Sequence, residues 1–260
     1  MPRRVRLALL LAVVAGCRAD SSKAPQAPPP VQAAANQAGP VRQVAFQQVS
    51  TRPLSTSTSP TPSPEHSASP DELSLAADCL ERGDDVAAVI HLKRHVDEHP
   101  EQVVFQAQLA EVLARLGRLR EAQVHFEAAV VHAQDGPLAA RRELVHYHTR
   151  LMEIARARED AYLEHLHRGI GLYLVGCRIS SKGDSGEAER LLCKAVAALK
   201  EAQAARPHDG RTAWYLHRIW SQLDQPRPAS RALRKAIACA PFSRLTPAES
   251  RDLATSGSCQ

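Results

Sequence analysis

From Asp71 to Pro100 the chain reads DELSLAADCLERGDDVAAVIHLKRHVDEHP, and from Phe105 to Gln134 it reads FQAQLAEVLARLGRLREAQVHFEAAVVHAQ. With a shift of 34 residues, Leu75, Gly83, Ala88 and Leu92 fall on Leu109, Gly117, Ala122 and Phe126, and Pro100 closes the first unit. The same internal spacing returns at Leu216, Asp224, Ala229 and Leu233, with Ala236 and Pro241. A further copy at Gly176, Gly183, Ala188, Leu192 and Ala195 fits when its second helix runs on to Pro207. Within each unit the apolar residues keep the 3.6 period of a helix, Gly and Pro fall between the stretches, and no segment alternates as a strand. A small residue in each second helix lets two helices approach closely. The pattern predicts an all-α chain, a helix-turn-helix solenoid of four to five repeats.

These residues resemble the tetratricopeptide repeat family: Leu75, Ala76, Ala88, Leu92 and Pro100; Leu109, Ala110, Ala122, Phe126 and Ala129; Leu216, Trp220, Ala229, Leu233, Ala236 and Pro241. There are departures. His95 stands where a small residue is usual, Gln134 replaces the closing Pro, and 137–168 lacks the pattern, being either a worn repeat or one long helix running into the next. The repeat domain spans 69–245, opened by the capping box Ser69-Pro70-Asp71-Glu72. A second box, Thr246-Pro247-Ala248-Glu249, opens a capping helix to about Ala254 within a terminal segment 246–260. The resemblance implies that the first helix of each repeat lines a concave groove that binds a protein or peptide partner. It makes Glu111, Arg115, Tyr173, Arg211, Trp214 and Arg218 the groove candidates. Arg211 and Arg218 stand three before and four after Trp214, a patch suited to a peptide with acidic and apolar groups.

Upstream of the repeats the chemistry changes. Residues 1–16 read as a signal peptide, with a basic start at Arg3, Arg4 and Arg6 and a short apolar run. That run is too short to span the ~30 Å of a bilayer as a helix. Val14-Ala15-Gly16-Cys17 resembles the lipobox of bacterial lipoproteins, which implies diacylglyceryl and usually N-acyl (palmitate-type) modification of Cys17. Two or three acyl chains hold a protein stably on a membrane where one does not. The expected location is therefore the bacterial cell envelope, lipid-anchored at the outer membrane or the periplasmic side of the inner one. Residues 17–68 are rich in Pro, Ser and Thr, with Phe46 as the sole aromatic, and cannot bury enough apolar surface to fold. They read as a tether of ~40 Å if flexible and up to ~160 Å if fully polyproline-like.

Formal charge is +5, and loss of the three leader arginines brings it to +2, which argues against nucleic acid as a partner. No CxxC, CxxCH, HExxH or GxSxG occurs, nothing pairs a nucleophile with a base, and no cofactor or small-molecule substrate is indicated. The expectation is a non-enzymatic interaction scaffold. The alternative is a metal-binding or enzymatic role for the His-rich middle, where His146, His148, His165 and His167 could converge across two helices; His148, His165 and His167 are its weak metal candidates. Of the cysteines, Cys177 with Cys193 and Cys239 with Cys259 are candidate disulfides, and Cys79 sits at an inward motif position.

Overall fold

The computed structural model describes residues 71–258, so Cys17, the leader, the linker, Ser69 and Cys259 lie outside the described residues. Asp71 caps α1 (Glu72–Glu81) by accepting from the Leu73 amide at 3.4 Å. Then follow α2 (Asp85–Glu98), α3 (Val103–Arg115), α4 (Leu119–Asp135), the single-turn α5 (Leu138–Arg142) and α6 (Leu144–Ala157). The chain continues through α7 (Ala161–Ser180), α8 (Ser185–Ala205), α9 (Gly210–Gln222), α10 (Pro226–Cys239), a 3-10 turn (Ala240–Phe242) and α11 (Pro247–Ser258). Among the described residues there is no strand, and no helix is long and apolar enough to cross a membrane.

Four of the hairpins share one recurring turn. Gly83 and Gly117 both have φ of 74°, and the residue after each sends its amide back five positions, Asp84 to the Cys79 carbonyl at 2.8 Å and Arg118 to that of Leu113 at 2.9 Å. This satisfies carbonyls that the helix end leaves open, and it needs a left-handed residue. Glu159 (φ 57°) and Asp224 (φ 54°) occupy the same place without glycine, and Asp160 and Gln225 make the same bond to Ala155 and Trp220 at 2.9 Å. Adopting that conformation with a side chain costs about 1–2 kcal/mol, which stacking must offset. The stretch 137–168 is thus nearer the worn repeat than the single long helix: it holds α5, α6, a full hairpin turn at Glu159 and the start of α7, and that turn lacks the glycine of the others.

A hairpin leaves an apolar stripe on each side, and the stripes of successive hairpins close on one another. Leu92, Leu109, Leu113, Phe126 and Leu151 are almost wholly buried in a cluster running from α1 to α6, and Leu166, Ile170, Leu199, Ile219 and Leu233 form a second from α7 to α11. Leu174 packs against both. Helix α7 has two partners, α6 through the Glu159 turn and α8 through the next, and its packing on α8 is the most extensive in the molecule.

Gly169 makes that packing possible: a Cβ there would lie 2.6 Å from Leu199 Cγ and 3.3 Å from the Ala195 carbonyl oxygen. Two residues on, a Cβ at Gly171 would meet only His148 Cβ, at 3.9 Å. The two glycines therefore predict opposite signs. Gly169→Ala is expected to destabilise the domain by about 1–3 kcal/mol through overpacking, whereas Gly171→Ala is expected to stabilise it by about 0.5–1 kcal/mol through helix propensity. Urea denaturation of both variants checks this, and equal shifts would contradict the close approach of α7 to α8.

Candidate functional site

Four of the six groove candidates converge where α7 and α9 meet α11. Asp209 caps α9 by accepting from the Arg211 amide at 2.8 Å, and Arg211, Tyr215 and Arg218 follow at positions 0, 4 and 7 of one helix face. That face meets Glu249, the last residue of the Thr246 capping box. The box is reciprocal as expected: the Thr246 amide donates to Glu249 Oε2 at 2.9 Å, and the Glu249 amide to Thr246 Oγ1 at 3.2 Å. Glu249 also reaches outward. Its Oε1 accepts from Arg211 Nε at 3.0 Å, Arg211 Nη2 at 2.9 Å and the Tyr215 hydroxyl at 2.8 Å, and the residue is 2% exposed. Burial opposes the charge on Arg211, but Glu249 outweighs it and raises the guanidinium above its ordinary value. Burial first, and the Glu249 charge second, push the Tyr215 hydroxyl well up, so it stays a donor.

Next to this pair, Arg218 lies 5.4 Å from the Tyr173 ring and 5.7 Å from that of Trp214, with Asp252 of α11 at 3.7 Å. Tyr173 and Trp214 are buried, and the Arg218 side chain is 38% exposed. Arg218 lines two cavities. One, of about 480 Å³, is walled by Trp214, His217 and the α11 residues Asp252, Thr255 and Ser256. The other, of about 340 Å³, runs under Ala248 and Glu249 to His148, Leu144 and Gln134. A third cavity, of about 550 Å³, opens on the far side of Arg211 among Arg158, Tyr162, Arg206 and Asp209. There Arg206 stacks 4.0 Å over the Tyr162 ring, whose hydroxyl donates to Asp209 at 2.6 Å.

Glu111 and Arg115 belong to a separate set of contacts. Glu111 takes two bonds from Arg150, at 2.8 and 2.7 Å, with His146 at 3.3 Å, and Arg115 clasps Asp85 at 2.9 and 2.6 Å. Each pair ties one unit of the stack to the next. Burial opposes the Glu111 charge, but His146 and Arg150 keep its carboxyl below the usual range.

The histidines do not assemble a metal centre: among the described residues no three His, Cys, Asp or Glu are placed to hold a metal. His148 and His167 do converge, with their Nδ1 atoms 3.0 Å apart, so one ring donates and the other accepts and the two carry opposite tautomers. His165 lines another cavity with Arg168 and Lys194, whose wall His167 shares. Of the cysteines named as a candidate disulfide, Cys177 is half-buried beside Tyr173, and Cys193 is exposed because Leu192, Ala195 and Val196 take the inward positions of α8. Cys239 is half-buried at the end of α10, and its expected partner Cys259 lies outside the described residues. Sequence reasoning missed Glu249, Tyr215 and Asp252 as site residues. Glu249 read only as a cap, although the loss of the closing Pro at Gln134 marked its neighbourhood: Gln134 Oε1 accepts from Thr246 Oγ1 at 2.6 Å.

No protein-family model matches the chain, and no curated protein matches it. Solved structures to which it is similar include the crystal structure of MamA, with 13% identity over 65% of this chain and 95% of that one and a TM-score of 0.32. They also include TTC0263, a thermophilic TPR protein in Thermus thermophilus, with 19% identity over 71% and 96% of the two chains and a TM-score of 0.34. MamA 41-end from Desulfovibrio magneticus RS-1 has 18% identity over 66% and 94%, with a TM-score of 0.28. The fold rests on the hairpins themselves. It is a tetratricopeptide-like solenoid.

The buried histidines give this solenoid an acid limit. Burial drives His148 down to about 3, and burial with the neighbouring His148 takes His167 well below its ordinary value. Both are neutral in the fold and would protonate on unfolding below about pH 6.5. Their stabilising effect is complete above that pH and falls as pH drops towards the folded-state values, by up to ~1.4 kcal/mol per unit for each ring. His146, raised mainly by its bond to Glu111, works weakly in the other direction. Denaturant midpoints are expected to fall from pH 7.5 to 5, with a slope that flattens in the double variant His148→Leu and His167→Leu. An unchanged slope in that variant would contradict this.

Proposed function

We propose that the protein is a lipid-anchored scaffold of the bacterial cell envelope, in which the solenoid binds a segment of a partner protein. The observation that carries this reading is the partly exposed Arg218 guanidinium set over Tyr173 and Trp214 at the mouth of open cavities. Arginine over aromatic rings is the composition of protein-binding hot spots. The charge is fixed by the rings behind it, so an acidic group on a partner meets a guanidinium that loses little freedom on binding. The lipobox-like run at Cys17 and the Pro-rich segment after it support the anchor and the tether. The metal or enzymatic alternative has less support, since the two histidines that meet are buried and, among the described residues, no third His, Cys, Asp or Glu joins them to hold a metal.

The test uses affinity capture from detergent-solubilised envelopes with the full chain. Cys17 is expected to carry diacylglyceryl and N-acyl groups by intact mass, and Cys17→Ser to move the protein to the soluble fraction. Arg218→Ala is expected to weaken partner capture by about 30-fold, the ~2 kcal/mol of a hot-spot arginine, while the domain keeps its helical circular dichroism spectrum. An unmodified Cys17 would remove the anchor, and capture indifferent to Arg218→Ala would remove the groove from the function.

A further inference from the structure

Helix α11 buries little apolar surface on the stack. Its only buried residues are Glu249 and Leu253, and the rest of its length is Ala, Ser, Thr, Gly and exposed charge. Polar groups hold it: Glu249 to Arg211 and Tyr215, Thr246 to Gln134, Arg251 to Asp135, and Asp252 to Arg218. The fit is loose. The cavities of about 340 and 480 Å³ both have α11 as one wall, at Ala248 and Glu249 in one and at Asp252, Thr255 and Ser256 in the other. Elsewhere in the stack the interior is filled by Leu, Ile and Phe, whereas α11 presents to these cavities only a methyl group, two hydroxyls and charged side chains.

We infer that the Arg211–Tyr215 pocket is the carboxylate-recognition point of the partner site, and that α11 is a resident stand-in for a partner helix. That partner opens with a Ser/Thr-Pro-x-Glu box, seats its Glu where Glu249 sits, and carries larger apolar side chains six and seven residues after it, at the places of Thr255 and Ser256. The inference rests on the scaffold reading and supplies its ligand chemistry. Three features of the page select this occupant. A largely buried Arg with a buried Tyr hydroxyl makes three bonds to a single carboxylate oxygen, and a neutral acceptor in that place would leave the Arg211 charge unpaired in a buried site. The Thr-Pro-x-Glu box fixes that carboxylate relative to the helix axis. The aromatic wall of Trp214, His217 and Tyr173 faces the small residues of α11, so apolar groups added there gain contact without displacing a bond. Because α11 already fills the pocket in cis, a partner's apparent affinity is reduced by the fraction of chains in which α11 is docked.

The test is fluorescence anisotropy with the full-length chain and labelled synthetic peptides of the 244–258 sequence. A peptide carrying Thr255→Leu and Ser256→Leu is expected to bind at least about tenfold tighter than the unaltered peptide. Both are expected to bind about tenfold tighter to the full-length Glu249→Gln protein, whose own α11 is released. Glu249→Gln in the peptide is expected to abolish binding. Hydrogen exchange should show the amides of α11 in the wild-type protein losing protection as the leucine peptide binds, with α9 unchanged. Binding indifferent to the peptide's Glu249, or binding that leaves α11 protected, would overturn the inference. A wild-type dimer in solution would overturn it too, by making a second copy's α11 the occupant. Partner capture that survives while the peptides fail would leave the scaffold standing and remove this ligand; peptide binding without any envelope partner would do the reverse.

Discussion

A two-helix hairpin has apolar side chains on both of its flanks and can bury only the seam between its own helices, so every hairpin of this chain depends on the next. The constraint explains why the turn keeps its geometry while its residue changes. Whatever stands at 83, 117, 159 or 224 must take a left-handed conformation if the two helices are to lie side by side and present their flanks in register. Where Glu159 and Asp224 do so at a cost, the stacked interior supplies the compensation: Leu151, Leu166, Ile219 and Leu233 are almost wholly buried on either side of those turns. The same constraint produces the departure at the centre. Three long helices, α6, α7 and α8, stand where two hairpins would need four, and α7 serves both neighbours, with the bare surfaces of Gly169 and Gly176 letting α8 come close.

A stack also has to be held in register, and ion pairs do this at successive joints. Asp85 with Arg115 ties the first hairpin to the second, Glu111 with Arg150 ties the second to α6, and Asp160 with Arg206 ties the start of α7 to the segment after α8. These pairs are partly exposed, and each adds at most ~1 kcal/mol. The pair of Arg211 with Glu249 differs in kind, because its side chains are only 12% and 2% exposed. Removing one member of such a pair costs about 3–5 kcal/mol, whereas the pair itself is close to neutral against an apolar replacement. Its effect is on register: a carboxylate at that height on α9 leaves no buried charge unpaired, and a neutral residue does.

The stacked-hairpin fold was legible because it is written in local terms. Periodicity, helix caps and a small residue at each close approach are properties of a few consecutive residues, and Leu75, Ala88, Leu109, Ala122, Leu216 and Ala229 declare them. The hairpin at 144–180 was not legible, since the one residue that would have marked it is Glu159 in place of glycine. The site was legible by half. Tyr173, Arg211, Trp214 and Arg218 do come together, but as a partly covered cluster and not an open groove wall, because burial on both sides of a helix depends on which helices return to it. Nothing within α9 tells that α11 lies across it. Contacts over more than a hundred residues, such as Thr246 with Gln134, follow from the summed rotation of every repeat between them, and no local pattern encodes that sum.

The choice of a carboxylate at 249 is what makes the terminal helix removable. A solenoid needs its last apolar flank covered, and an aliphatic helix would do so with a firm, water-excluding seam. Leu253 alone among the large side chains of α11 follows that course. Glu249 keeps its helix in place only while Arg211 and Tyr215 have no better acceptor, because the free energy of a buried ion pair lies mostly in avoiding unpaired charge and little in net attraction. Exchanging one carboxylate for another leaves no charge unpaired at any stage that matters to the equilibrium, so the difference between α11 and a competing helix reduces to the packing beside the pair. That packing is where α11 is weakest, with two cavities along its length, and a covering element so arranged is held firmly against water and weakly against a ligand of its own kind.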